Sequence, residues 1–323
     1  MNIDKILIVL GEPKSIFSEI LFKYFKTKKF NKIKKDIILI GSEKLFKKQI
    51  KKLGYRIKLN SIKKIDQSKK NKINIINIRY NFKDVFSKIN SQSNQYVKKC
   101  FDESLKILKT NKSIGLINGP VSKKHFLKKK YLGITEYISK KTNSKNEVML
   151  IYNDKLSVSP ITTHLPLKNV VKNISKKKII NNVSKINHFF INRLKRKPNF
   201  AILGLNPHND EFRKNSEETK IIIPAIKKLK KFKIKVFGPF PSDTAFSNQK
   251  KSNYDIIVGM YHDQVLGPYK AIYNFDAINI TLGLDYLRVS PDHGTGKDII
   301  GKRKASPFSL IKSVIFLSNI KQW

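Results

Sequence analysis

This chain of 323 residues has little of several things. It has one cysteine, Cys100, which excludes an internal disulfide and a cysteine-built zinc knuckle. No apolar run approaches the ~18 to 20 residues that span a bilayer; the longest clean ones, such as Ile6 to Leu10 and Ile37 to Ile40, are strand-sized. There is no G-x-G-x-x-G and no Walker loop, so a bound dinucleotide would not be held by the usual Rossmann fingerprint. Acidic residues are scarce, 23 against 67 Lys and Arg, for a net charge of +44. Only seven of the basic residues are Arg, the residue that makes bidentate contacts to phosphates and base edges. The Lys clusters around 26–35 and 227–235 therefore read as solvated helix faces, and the composition argues against a nucleic-acid partner. The first residues enter a strand almost at once, without the basic and apolar regions of a signal peptide. The expectation is a soluble, reduced, cytoplasmic protein without membrane contact.

What is present is a core. Hydrophobic residues make up 40% of the chain, too many for a disordered tail, and the length suggests two domains. Apolar strand-sized segments alternate with Lys-rich helical stretches. Strands are predicted at Lys5–Leu10, Asp36–Ile40, Ile73–Ile78, Ser113–Ile117, Val148–Ile151, Ser157–Thr162, Asn199–Leu203, Ile234–Phe237, Asp255–Met260 and Ala277–Leu282. Helices are predicted at Ser15–Tyr24, Glu43–Lys52, Gln92–Lys109, Lys168–Leu194, Glu217–Leu229 and Ser306–Ser318. This alternation is that of an α/β fold with a largely parallel sheet. The stretch Ser61–Lys72 is the most loop-like.

Three of the six histidines share one context. His164, His208 and His262 each follow a predicted strand, at the edge where open α/β sheets bind ligands. If those strands are parallel neighbours, three imidazoles converge and leave open coordination positions, as in a catalytic metal site. The alternative is three unrelated loop histidines. His125 and His188 sit in Lys-rich or helical surroundings and read as surface or packing residues. His293 lies in a Gly-bearing loop suited to a cofactor. Asp243 and Asp263 follow strands and are candidates to orient a histidine or act as a base, or are simply helix caps. Lys270, Asn279 and Arg288 supply donors for phosphate or carboxylate oxygens.

Taken together, these segments are familiar. Gly11-Glu-Pro, Asn118-Gly-Pro-Val-Ser-Lys, Gly133-Ile-Thr-Glu-Tyr, Thr162-Thr-His-Leu-Pro-Leu, Gly204-Leu-Asn-Pro-His, Gly238-Pro-Phe-Pro-Ser-Asp-Thr, Met260-Tyr-His-Asp-Gln, Asn279-Ile-Thr-Leu-Gly-Leu and the run from Arg288 to Gly301 resemble the 4-hydroxythreonine-4-phosphate dehydrogenases of pyridoxal 5′-phosphate biosynthesis, over nearly the whole length. The resemblance implies two α/β/α domains with a mostly parallel mixed sheet, similar to isocitrate and isopropylmalate dehydrogenases. The cofactor-side domain would comprise 1–120 with 276–323, and the metal- and substrate-side domain 121–275. It implies a homodimer with the active site at the interface. It also implies a divalent metal (Zn, Co, Mn or Mg) on His164, His208 and His262, and a small phosphorylated substrate on Thr135, Lys270, Asn279 and Arg288. NAD or NADP would sit on the loop of His293, Gly294, Thr295 and Asp298, which accounts for the missing fingerprint. Asp243, Asp263 and Lys270 are the candidates to relay the substrate's hydroxyl proton. Lys297, Lys302 and Arg303 are either ligands of an adenosine phosphate or surface charge.

The implied reaction is oxidation of 4-phosphooxy-L-threonine at C3, then decarboxylation to 1-amino-3-hydroxyacetone phosphate. Two alternatives stand beside it: a sister dehydrogenase for 4-phospho-threonate or 4-phospho-erythronate, and a non-catalytic basic relative that binds nucleic acid. Three departures from the family pattern bear on the choice. Ile134 stands where the family has a substrate-binding histidine, a loss for which the surrounding lysine excess, for example Lys123, would compensate. Lys14-Ser15-Ile16-Phe17-Ser18 replaces Ala-Gly-Ile-Gly-Pro. The Gly-rich stretch after Asn-Pro-His has become Asn209 to Asn215, so both loops must be rebuilt without glycine.

Overall fold

The computed structural model describes residues 4–320 apart from 87, 112, 123–124, 127–130, 132, 145–146, 248–252 and 275. Lys123 lies outside the described residues. The strands are β1 (Lys5–Val9), β2 (Asp36–Gly41), β3 (Leu59–Ile62), β4 (Ile73–Asn77), β5 (Ile114–Asn118), β6 (Val148–Tyr152), β7 (Ser157–Thr162), β8 (Phe200–Leu203), β9 (Val236–Phe240), β10 (Ile256–Tyr261), β11 (Ile278–Leu282) and β12 (Arg288–Pro291). The chain forms two compact units, Met1–Thr142 with Leu284–Trp323, and Asn143–Gly283.

The first unit orders its strands β3-β4-β2-β1-β5-β12, every pairing parallel. Strands such as β1 and β2 are buried along almost their whole length, as expected where helices cover both faces of a parallel sheet. The helix Glu43–Lys52 shows how the sequence sorts itself. Ser42 caps it by accepting from the Leu45 N–H, Leu45, Phe46, Gln49 and Ile50 turn inward, and the lysines stay wet. The boundary falls at 142 and 284 rather than at the expected 120 and 276. Tyr137, Ile138, Leu284 and Tyr286 share one core with Leu7, Phe101 and Leu116, whereas β11 pairs with β6.

The second unit orders its strands β11-β6-β7-β10-β8-β9. Its β11-β6 and β6-β7 pairings are antiparallel, and β7-β10, β10-β8 and β8-β9 are parallel. Ile151, Val158, Ala201, Leu203, Ile257 and Val265 form its core. Among the elements that depart from the sequence reading are these. β3, a strand with two polar residues, reaches into the supposed loop. β12 was hidden by its arginine and proline. The helix His262–Tyr273 carries Gly267 and Pro268 inside it, residues that signal a break. The long helix expected from Lys168 begins only at Lys176, where Ser175 caps it, after two single 3-10 turns.

Candidate active site

The strands that lead into the three histidines are parallel neighbours in the order β7-β10-β8. Tyr261 and Thr162 lie in register at the carboxyl ends of β10 and β7. His262 follows β10 directly as the first residue of its helix, and His164 lies two residues beyond β7. Their ring centroids are 5.6 Å apart. Asp263, whose side chain is 87% exposed, accepts a 2.7 Å hydrogen bond from His262 Nδ1. That bond fixes the tautomer and leaves the Nε2 lone pair for a ligand.

His208 does not complete the cluster. Among the described residues no group of three His, Cys, Asp or Glu is close enough to hold a metal. The expected convergence of three imidazoles is thus a pair in this structure. The cause lies in the loop after β8. His208, Asn209, Asp210, Glu211 and Phe212 all adopt positive φ, between 47° and 59°, and His208 is exposed. The loop lacks glycine, and left-handed turns of ordinary residues take its place. Two imidazoles side by side, one with its Nδ1 tied to a carboxylate, match two positions of a divalent-metal site in donor chemistry.

Two residues without a motif hold this rim together. Gln264 donates from Nε2 to the Gly204 carbonyl (2.7 Å) and accepts at Oε1 from the Met260 N–H (2.6 Å), tying β10 to the end of β8. Glu218, fully buried, accepts from the Leu205 and Asn206 N–H groups at 2.7 and 2.8 Å. The sequence offered one hint of the first, in Met260-Tyr-His-Asp-Gln, and none of the second. In the same unit Asn279 stands on β11 with its Oδ1 buried and without a hydrogen-bond partner among the described residues. Lys270 is half-buried on the helix that His262 opens. Asp243 is exposed, and its Oδ1 accepts from the Thr244 N–H as a turn cap does.

In the first unit, Arg288 is 0% exposed. Its Nε donates to Asn118 Oδ1 (2.8 Å) and its Nη1 to Thr135 Oγ1 (2.9 Å). Two expected substrate ligands are thus bonded to each other. Burial lowers the guanidinium pKa to about 10, with Tyr286 and Glu136 opposing, so Arg288 stays charged at neutral pH. Ile134 is half-buried and packs on the core. The expected cofactor loop follows β12. His293 Nδ1 lies 3.0 Å from the Gly294 carbonyl, Thr295 accepts from the Ile16 N–H at 3.0 Å, and Gly296 is left-handed against the Ile16 side chain. Burial lowers the His293 pKa. Asp298 is exposed on the 3-10 turn Lys297–Ile299. Arg303 gives an Nη2 hydrogen bond to the Leu53 carbonyl at 2.7 Å. His188 is exposed beside Asn192, and His125 meets Ser122 at 3.0 Å.

Comparisons with known proteins converge on one group. A family model described as pyridoxal phosphate biosynthetic protein PdxA matches residues 33–316. The 4-hydroxythreonine-4-phosphate dehydrogenase of a Sulfurihydrogenibium species (strain YO3AOP1) is 39% identical over 314 residues, 96% of each chain. The D-threonate 4-phosphate dehydrogenase of Pectobacterium atrosepticum is 32% identical over 232 residues, 70% of each. The crystal structure of 4-hydroxythreonine-4-phosphate dehydrogenase from Klebsiella pneumoniae superposes with a TM-score of 0.79 at 25% identity, covering 97% of this chain and 98% of its own. The isocitrate dehydrogenase of Methylococcus capsulatus shares the fold alone, with a TM-score of 0.52 at 10% identity over 98% of this chain and 85% of its own.

Proposed function

Because the chain belongs to the PdxA family of pyridoxal phosphate biosynthetic proteins and is, with that family, a dehydrogenase, we propose that it oxidises 4-phosphooxy-L-threonine at C3. The β-keto acid so formed loses CO2 and gives 1-amino-3-hydroxyacetone phosphate. The observation that carries this reading is the pair of imidazoles at the rim of β7 and β10, with Asp263 holding one of them. His164 and His262 would hold a divalent cation, with His208 as the third donor of the family pattern. Such an ion supplies Lewis-acid polarisation of an oxygen, and NAD or NADP accepts the hydride.

The protein's own part is binding and orientation. Asp263 keeps His262 in one tautomer. In the second unit Asn279 Oδ1, buried and lacking a partner, is available to accept from a substrate amino or hydroxyl group, and Lys270 offers a cation to an anionic one. Lys270 and Asp263 are the proposed carriers of the hydroxyl proton. Asp243 is a weaker third, since its carboxylate already serves a turn. In the first unit Thr135 and Arg288 are the proposed anion ligands, braced by Asn118. His293, Gly294, Thr295 and Asp298 are the proposed cofactor segment. We place the enzyme in the cytoplasm as a homodimer. Among the described residues no helix is long and apolar enough to cross a membrane. Leu167 and Val171, 68% and 47% exposed, are apolar side chains that a partner subunit would cover.

The second reading, oxidation of D-threonate 4-phosphate, is favoured by the Pectobacterium relative. Assay of nicotinamide reduction with both substrates, before and after chelator, separates the two. We expect turnover of the amino acid, lost with chelator and restored by a divalent metal; turnover of the sugar acid alone would reject the main reading. Metal analysis of His164→Ala and His262→Ala should show loss of the ion from both. Retention of full stoichiometry in His208→Ala would strike that residue from the ligand set.

A further inference from the structure

Glu12 is 2% exposed, and neither carboxyl oxygen has a hydrogen-bond partner among the described residues. Ser18, also buried, has a hydroxyl in the same condition. Both line one cavity at the carboxyl ends of β1 and β2, together with Ser15, Ser42, Gln49 and Tyr96. It has room for about one water. The surrounding groups are already committed. Ser15 Oγ donates to the Glu12 carbonyl, Ser42 Oγ accepts from Leu45, Ser93 Oγ donates to Asn90, and Gln49 Nε2 serves Pro13 and Val85. Two buried residues therefore share a vacancy, and a water can donate to the carboxyl and accept from Ser18. Buried polar groups left without any partner are costly, so a bound guest is the cheaper state.

We propose that Glu12 and Ser18 form a binding site for one water and one proton, which locks the 11–18 segment onto the 293–296 segment. The second half of that statement rests on how the segments join. The Ile16 N–H donates to the Thr295 carbonyl, the Phe17 and His293 rings lie 5.9 Å apart, and Gly296 sits against Ile16. The charged and titratable groups facing Glu12 are Lys297, on the turn that continues the second segment, the phenol of Tyr80 and, across the cavity, the phenol of Tyr96. Glu19 on the next turn is taken up by Lys23 and the Ala305 N–H. Burial pushes the Glu12 pKa up to about 7, and the positive charge of Lys297 pulls it part of the way back. A neutral carboxyl rests in the closed site. An ionised one is relieved by opening to solvent, so the lock loosens as pH rises through the range between the free and buried pKa values. The site stands whichever substrate is correct.

Amide hydrogen exchange of Ile16, corrected for intrinsic rate, tests this on the intact chain. Protection should fall at least about tenfold between pH 5 and pH 7 in the wild type and stay flat in Glu12→Gln. Equal profiles at Ile16 in the two proteins overturn the proposal. If Glu12→Gln does not fold, infrared spectra of wild type carrying 13C-carboxyl glutamate decide. A protonated carboxyl band at pH 6 that vanishes by pH 8 supports the site, and its absence at pH 6 overturns it.

Discussion

Single residues carry two of the energetic consequences. Glu12 retains its proton in the folded chain to about pH 7 against 4.5 for the free side chain. Between those values the unfolded state has lost a proton that the folded state keeps, so stability falls as pH rises. The loss is about 1.4 kcal/mol per unit and about 3 kcal/mol in all, complete above pH 7 and absent below 4.5. Urea titrations across that range should show this slope in wild type, with Glu12→Gln flatter and more stable at pH 8. The second residue is Glu211, exposed, with φ 47° and no glycine to absorb the strain. Glu211→Gly should raise stability by about 1 kcal/mol, because the left-handed penalty of an L side chain disappears. A lower urea midpoint would show that something else holds that turn.

At the scale of elements, the rim depends on helix starts and strand ties. Asn90 caps the helix Ser91–Thr110. Its Oδ1 accepts from the Ser93 N–H at 2.9 Å, and Ser93 Oγ accepts from the Asn90 N–H at 3.0 Å. Asn90→Ala should cost about 1 kcal/mol by urea midpoint, and it loosens the helix that carries Tyr96. Gln264 matters differently, since it joins β10 to the β8 end inside the candidate site. Gln264→Leu leaves a buried N–H and a carbonyl unanswered, a loss of about 2 kcal/mol or more. It should also lower metal content, which Asn90→Ala should not. Equal metal content in the two variants would separate the strand tie from the site.

At the scale of the molecule, the charge of +44 is mostly lysine on solvated faces. Attraction of an anionic substrate by such a surface is screened within about 8 Å at physiological salt. Raising salt to 0.5 M should therefore raise KM modestly and leave kcat unchanged, and any nucleic-acid binding should vanish well below that. A mobility shift that survives such salt would return nucleic acid to consideration.

The α/β class, the parallel strands and the histidines at their carboxyl ends were legible because they rest on local periodicity and on the rule that ligands bind at that edge. The motif order also made the family legible. Local pattern could not say that the loop after β8 turns left-handed and leaves His208 exposed, nor that Arg288 lies fully buried on Asn118 and Thr135. The partners in such contacts are 153 and 170 residues apart or set by backbone angles, and burial is a property of the packed whole. The same holds for Glu12. As a letter it is one more acid beside a proline. Its raised pKa and the vacancy beside it exist only because two strand ends, two helices and a distant turn close around it.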